Sequence, residues 1–203
     1  MMRCIIISLF CLCSTSSFSQ IIKINNGFSA SSMKKVLTEK IVAFSSSIGV
    51  DYFEHKYYYL SSEVAYMKLG GENSDALYGA VSIKARESWD CLQFNTTFRA
   101  RYPIGQFHFY VGVGPKFDLI INNNKFSSLL YKNIDGLKML RVTFGGKLES
   151  GIAYDLGKTR IGLNVSYLFP IGKSARDFKS GFWGETYLHN KTMAYYLSFG
   201  IRL

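Results

Sequence analysis

No run of apolar residues in this sequence reaches the roughly 18 needed to cross a bilayer as a helix. Charge is also scarce: 19% of residues are charged, against 16% aromatic and 48% hydrophobic. That is little charge for a soluble surface. Without a spanning helix, a chain can be rich in lipid-facing residues only if they alternate along strands.

Of the four cysteines, Cys4, Cys11 and Cys13 fall at the start. There Arg3 supplies a basic end, residues 5–13 an apolar run, and Ser17-Phe18-Ser19 small residues before Gln20. This pattern predicts a secretory signal peptide over 1–19 and a single domain over 20–203. A lipoprotein signal competes, because Cys11 and Cys13 lie nearby, but neither follows the usual Leu and small residues. Cleavage leaves Cys91 alone, which excludes an internal disulfide. Loss of Arg3 lowers the formal charge from +10 to +9.

Other constellations are missing. Three scattered histidines and one remaining cysteine give no metal-ligand spacing, and no cofactor is expected. No basic stripe carries interleaved aromatics, which argues against nucleic acid. Asn95-Thr96-Thr97 fits a glycosylation acceptor only by chance, given its place in a strand.

What is present is period-two alternation, repeated. Residues 41–53 set Val42, Phe44, Ile48, Val50 and Tyr52 against Ser45, Ser47, Gly49 and Asp51. Residues 57–68 set Tyr58, Leu60, Val64 and Tyr66 against Ser61, Glu63 and Ala65. Residues 89–102 set Leu92, Phe94, Phe98 and Tyr102 against Gln93, Asn95, Thr97, Arg99 and Arg101. Residues 106–121 set Phe107, Phe109, Val111 and Val113 against His108, Gly112, Gly114 and Lys116. Residues 139–155 set Leu140, Val142, Phe144, Leu148 and Ile152 against Arg141, Thr143, Lys147 and Glu149. Residues 159–171 set Ile161, Leu163, Val165 and Tyr167 against Arg160, Gly162 and Asn164. The last strand sets Tyr195, Leu197, Phe199, Ile201 and Leu203 against Ala194, Ser198, Gly200 and Arg202. An eighth strand is placed at 21–30, on the weaker pattern Ile22, Ile24, Phe28, because single-chain bacterial barrels have even strand numbers.

Connections of two kinds alternate. Residues 54–56, 103–105 and 156–158 are tight, whereas 31–40, 69–88, 122–138 and 172–189 are long and rich in Gly, Ser, Asn and Lys. Short turns on one side and long loops on the other predict an all-β, eight-stranded antiparallel up-and-down transmembrane β-barrel.

Alternation does not say which face is inside, since a soluble ligand-binding barrel has the same period. Three features choose. The polar row holds many glycines, as a narrow lumen crowded by long side chains needs. Tyr52, Tyr58, Tyr102 and Tyr154 flank the short turns on the apolar face, as rings with a polar tip do at a lipid boundary. The export signal is the third. The expected lumen charge network is therefore Asp51, Glu63, Arg99, Arg101, Lys116, Arg141, Lys147, Glu149, Asp155, Arg160 and Arg202, with Asp118 as a further acid. On the lipid face each Arg or Lys would cost about 2–4 kcal/mol at the midplane. Eight strands leave a lumen that side chains fill, so no diffusion pore is expected.

The stretches FRARYPIGQFHFYVGVGPKF, GIAYDLGKTRIGLNVSYLF and the closing YYLSFGIRL resemble the small outer-membrane β-barrel domain proteins of Bacteroidetes, often called a porin family. The resemblance implies outer-membrane localisation and insertion by the barrel assembly machinery. The final strand, with Tyr195, Leu197, Phe199, Ile201 and Leu203, would be the assembly signal. The chain departs from that family in ending on Leu203 rather than Phe. The family is defined by fold, not by activity.

Some eight-stranded barrels cut or move acyl chains of lipid, with a His, Ser and acid at the outer rim. Here His108 follows a short turn, at the wrong end, and His55 lies in one. His189, near Glu185 and Thr192, is the remaining candidate, and no nucleophile is placed beside it by spacing. Pro115 reads as a bulge in a strand, and Trp89 and Trp183 as interfacial anchors. The four long loops carry eleven Lys or Arg against seven Asp or Glu. The expectation is a monomeric, non-catalytic barrel that contacts outer-membrane lipid, including lipopolysaccharide phosphates. The alternatives are an enzyme acting on lipid acyl chains, a soluble ligand-binding barrel, and, for the loop charge, plain loop solubility. No second domain is expected after Leu203.

Overall fold

The computed structural model describes residues 20–33, 37–78, 81–122, 140–171 and 189–203, and the side chains of these outside 74–84. The expected signal peptide and Trp183 lie outside the described residues. Eight strands follow in order: β1 (Ile21–Met33), β2 (Leu37–Tyr52), β3 (Tyr58–Tyr78), β4 (Val81–Ile104), β5 (Phe107–Ile120), β6 (Val142–Leu156), β7 (Thr159–Pro170) and β8 (Asn190–Arg202). Each pairs antiparallel with its neighbours, and β8 returns to β1, so the sheet is a closed barrel. The seam is regular, running from Ile21↔Arg202 to Met33↔Asn190. Closure leaves no unpaired strand edge.

Phase settles which way the strands face. Phe94, Phe109 and Phe144 are turned outward, Phe144 being 64% exposed, while Arg99 is turned inward at 3%. Ile22, Ile24 and Phe28 of β1 join the apolar exterior, so the weakly patterned first strand keeps the common phase. A soluble ligand-binding barrel requires the opposite phase.

Gln20, Leu203 and the three tight connections share one end, the turn end. Gly105 (φ 62°) and Gly157 (φ 60°) occupy left-handed positions in two of these turns. Phe53 also has a positive φ (52°), a conformation uncommon for a bulky residue. The chain beyond it folds back through the hydrogen bond from His55 N to Tyr58 O (2.8 Å) and brings Glu54 under the barrel mouth.

The loop end differs from the alternation of long and short connections. Residues 69–88 were expected as a loop. Instead β3 and β4 extend through most of this segment as a hairpin, with Leu69↔Trp89, Gly71↔Glu87 and Asn73↔Ala85 paired. The 31–40 connection shortens too, since β1 reaches Met33 and β2 begins at Leu37. A composition rich in Gly, Ser, Asn and Lys was the cue for these loops, but strand pairing uses backbone groups, which these residues carry like any others.

The interior of the loop half holds a layer of apolar side chains. Met33, Leu37, Ile41, Met67, Leu69, Trp89, Cys91, Ile120 and Leu168 all point inward and are buried. Trp89, expected as an interfacial anchor, is 1% exposed and belongs to this core. β3 also loses its pairing with β2 after Tyr66 and resumes it at Glu72 in a shifted register. Between these points Gly70 N donates to Ser31 Oγ (3.1 Å) on β1, a strand that is not its neighbour in the sheet. The hairpin thus leans over the barrel mouth. Pro115 was expected as a bulge, but the β4–β5 register is the same on its two sides, at Asn95↔Lys116 and Phe98↔Val113; only the pairing beside Pro115 is missing, in keeping with its lack of an N–H.

Replacing Gly157 by Val should destabilise the barrel by about 1–2 kcal/mol, the cost of a β-carbon in the left-handed region. Gly157→Asn should recover much of the loss. Urea unfolding in liposomes measures both.

Candidate functional site: an ion network within the barrel

Inward positions of β1, β2, β3, β4 and β6 meet at the centre of the turn half. Arg99 on β4 reaches three acids: Glu149 Oε1 at 2.5 Å from Nε, Glu63 Oε1 at 2.8 Å from Nη2, and Asp51 Oδ1 at 3.7 Å from Nη1. Lys147 on β6 binds Glu63 (2.6 Å) and Glu149 (2.9 Å). Lys23 on β1 binds Asp51 (2.9 Å) and Glu63 (2.7 Å). Three cations and three carboxylates therefore balance. Neutral donors complete the carboxylates: Thr97 Oγ1 donates to Glu149 (2.6 Å), and Asn164 Nδ2 donates to Tyr110 Oη (2.9 Å) and Glu149.

A second layer lies at the turn end. Arg160 binds Asp155 (2.6 Å), Glu54 (2.8 Å) and Asp51 (3.5 Å). Arg101 and Arg202 also reach Glu54, at 3.1 and 3.2 Å. One turn carboxylate thus holds arginines from β4, β7 and β8. Arg101 further donates to the backbone oxygens of His55 and Lys56. Tyr59 lies among the guanidinium groups of Arg99, Arg101 and Arg160, whose central carbons sit 5.5–5.7 Å from its ring centre. Each such cation–π contact adds to the ion pairs once water is excluded.

Small residues make room for these long side chains. A β-carbon at Gly112 would lie 2.9 Å from Glu149 Cγ and 3.0 Å from Arg99 Cγ, and one at Gly151 would meet the Tyr110 ring at 2.5 Å.

Of the expected network, Asp51, Glu63, Arg99, Arg101, Lys147, Glu149, Asp155, Arg160 and Arg202 are joined in these two layers. Lys116 is buried but pairs separately with Asp118, towards the loop end, where Gln93 and Thr143 also donate to Asp118. Arg141 does not join. It precedes β6 by one residue and is exposed at the loop end, so the alternation that would turn it inward has not yet begun. Lys23, Glu54 and Tyr59 were missing from the expectation. Lys23 was legible between Ile22 and Ile24, had the first strand been given the common phase. Glu54 lies in a turn, where alternation carries no information.

The residues weighed for catalysis are dispersed. His108 is buried at the turn end, with Nδ1 3.6 Å from Asp155, too far for a hydrogen bond. His55 stacks on Tyr58. His189 lies outside the barrel wall, whereas Thr192 points inward and donates to Ser31 Oγ and Asn190 Oδ1, so these two do not form a pair. Glu185 lies outside the described residues. Among the described residues no group of three or more His, Cys, Asp or Glu could hold a metal ion. A space of about 10 Å³ beside Lys116, Asp118, Thr143 and Asn190 has room for about one water.

Arg99→Ala should destabilise the barrel by about 3–5 kcal/mol, because it leaves buried carboxylates without a partner. Arg141→Ala should change stability by no more than about 0.5 kcal/mol. Equilibrium unfolding in liposomes compares the two, and equal losses would contradict the placement of Arg141.

No protein-family model matches this sequence, and no curated protein matches it. Solved structures do. OprG of Pseudomonas aeruginosa aligns with a TM-score of 0.57 at 12% identity, covering 92% of this chain and 97% of its own. Neisserial surface protein A aligns at 0.51 and 10%, covering 88% and 95%. Ail of Yersinia pestis, solved with the heparin analogue sucrose octasulfate, aligns at 0.50 and 15%, covering 93% and 100%. The apolar exterior, the ion-filled interior and these likenesses together give the chain the fold of the small eight-stranded outer-membrane β-barrels.

Proposed function

We propose that this protein is a non-catalytic barrel of the outer membrane that works through the surface at its loop end. One observation carries the reading: ion pairs and a packed apolar layer fill the described interior, while the exterior is apolar. Such a wall suits hydrocarbon, and such a lumen leaves little path for solutes. The sequence stretches quoted above support a place among the Bacteroidetes barrels. In this reading the export signal is cleaved before Gln20, and the barrel assembly machinery takes up β8 by its exposed row Tyr195, Leu197, Phe199, Ile201 and Leu203. The barrel then acts as a monomer.

The partner we propose is an anionic surface, above all lipopolysaccharide phosphates. Near the loop end, outward positions carry Lys40, Lys68, Arg86 and Lys191, with exposed Arg141 just before β6, against Glu72 and Asp90. Lys68 and Asp90 bind one another at 2.7 Å. Ail is solved with a polyanionic sugar, and a cationic rim supports the same class of contact here.

Two measurements test this reading. Liposomes carrying the folded barrel should retain small sugars and ions as barrel-free liposomes do, and rapid solute-dependent swelling would refute the filled lumen. The purified barrel should bind lipid A vesicles less tightly as salt rises from 0.01 to 0.1 M, where the screening length falls from about 30 to about 10 Å. Binding indifferent to salt would refute the anionic partner.

A further inference from the structure

The outer wall between β7 and β8 is notched at the loop end. The notch has a volume of about 480 Å³ and is lined by Tyr167, Phe169, Pro170, His189 and Lys191. Its shape follows from a missing side chain. Gly146 on β6 stands opposite Phe169, and a β-carbon there would lie 2.4 Å from Phe169 Cζ. The Phe169 ring therefore lies flat over Gly146 and leans away from β8. Tyr167 follows it, its ring stacked 5.9 Å from that of Phe169 with 28° between the planes. Both rings form one wall of the notch. On the other side stands β8, with Lys191 beside Ser32 of β1.

The notch has two chemistries along its length. Towards the middle of the barrel it runs onto the apolar exterior, where Tyr195 and Val165 are exposed. Towards the loop end it carries Lys191 and His189. Neither makes an ion pair with a described residue, in contrast to Lys68 with Asp90 across the barrel. On the outward positions of β7, β8, β1 and β2 near this end, the described charged residues are Lys191 and Lys40; Arg141, one residue before β6, is exposed there too, and none of the three is acidic. A cation above an aromatic slot complements a molecule with an anionic head and an apolar tail.

We infer that this notch is a binding site for a phosphorylated lipid of the surrounding leaflet. An acyl chain lies against Tyr167 and Phe169, and the phosphate is held by the Lys191 ammonium with help from His189. The inference rests on the proposed outer-membrane reading and narrows its diffuse cationic rim to one seat. A charged hydrogen bond from an ammonium to phosphate is among the stronger polar contacts. The stacked rings add apolar contact that a free anion would not use.

The test is photo-crosslinking of the full, folded barrel in phosphatidylcholine nanodiscs. One preparation is doped with phosphatidic acid carrying a photoreactive group in its acyl chain, the other with phosphatidylcholine carrying the same group. Adducts are mapped by mass spectrometry. Phosphatidic acid should label Tyr167–Ile171 preferentially, by about tenfold over phosphatidylcholine, and the preference should vanish in Lys191→Glu and weaken in Lys191→Gln. Arg141→Ala should leave it intact. Heat-dependent gel mobility verifies that each variant is folded. If phosphatidic acid labels another part of the loop-end rim, the notch is refuted while the anionic partner stands. If it labels no site more than phosphatidylcholine does, both readings fail. If excess inorganic phosphate abolishes the preference at matched ionic strength, the site is a general anion site and the lipid assignment is wrong.

Discussion

Arg99 lies near the centre of the turn half of the barrel, and three carboxylates converge on its guanidinium from β2, β3 and β6. Those carboxylates are shared in turn with Lys23 and Lys147. An ion taken out of water is costly unless its partners replace the lost hydration, and here each charge has at least two. The arrangement needs strands far apart in sequence to face one lumen, so it exists only when the cylinder is closed. The ion network and closure therefore depend on each other. The same network sets the orientation of the wall, because charges grouped inside leave the alternate, apolar positions on the outside.

The interior is not uniform. Towards the turns it is ionic, and towards the loops it is mostly apolar, with Trp89, Met67 and Leu69 beside the separate Lys116–Asp118 pair. The β3–β4 hairpin covers that apolar half, and the Gly70 contact to Ser31 ties the cover to β1. A water-filled passage would have to breach both layers. The proposed function is therefore sought on the outside, at the loop-end rim and on the apolar wall. The notch beside Lys191 is where a groove on the outer wall meets a positive charge with no ion pair among the described residues.

Much of the fold was legible because β alternation is a local property. The phase of β2 through β8 follows from neighbours two residues apart, and the glycines of the polar row mark where long side chains need room. The loop cue was less dependable. Ser and Gly at 69–88 suggested irregular chain, but their backbone groups pair as well as any, and only the partner strand reveals it. Trp89 was misread for the same reason, since an aromatic residue at a supposed loop boundary looks like a lipid anchor until the strand is known to continue. Arg141 was misread in the other direction, through alternation extended one residue past the end of its strand.

The amino-acid order by itself determined which residues share a face, because in a strand that depends only on odd or even position. It also made an apolar exterior the cheaper choice, since seven or more charges on the other face would otherwise meet lipid. Tertiary structure alone decided who meets whom inside: that Lys23 from the first strand and Glu54 from a turn complete the network, that an apolar layer gathers around Trp89 towards the loops, and that Phe169 folds over Gly146. These are contacts across the cylinder or between strands, and their geometry depends on register, tilt and closure, none of which period two encodes.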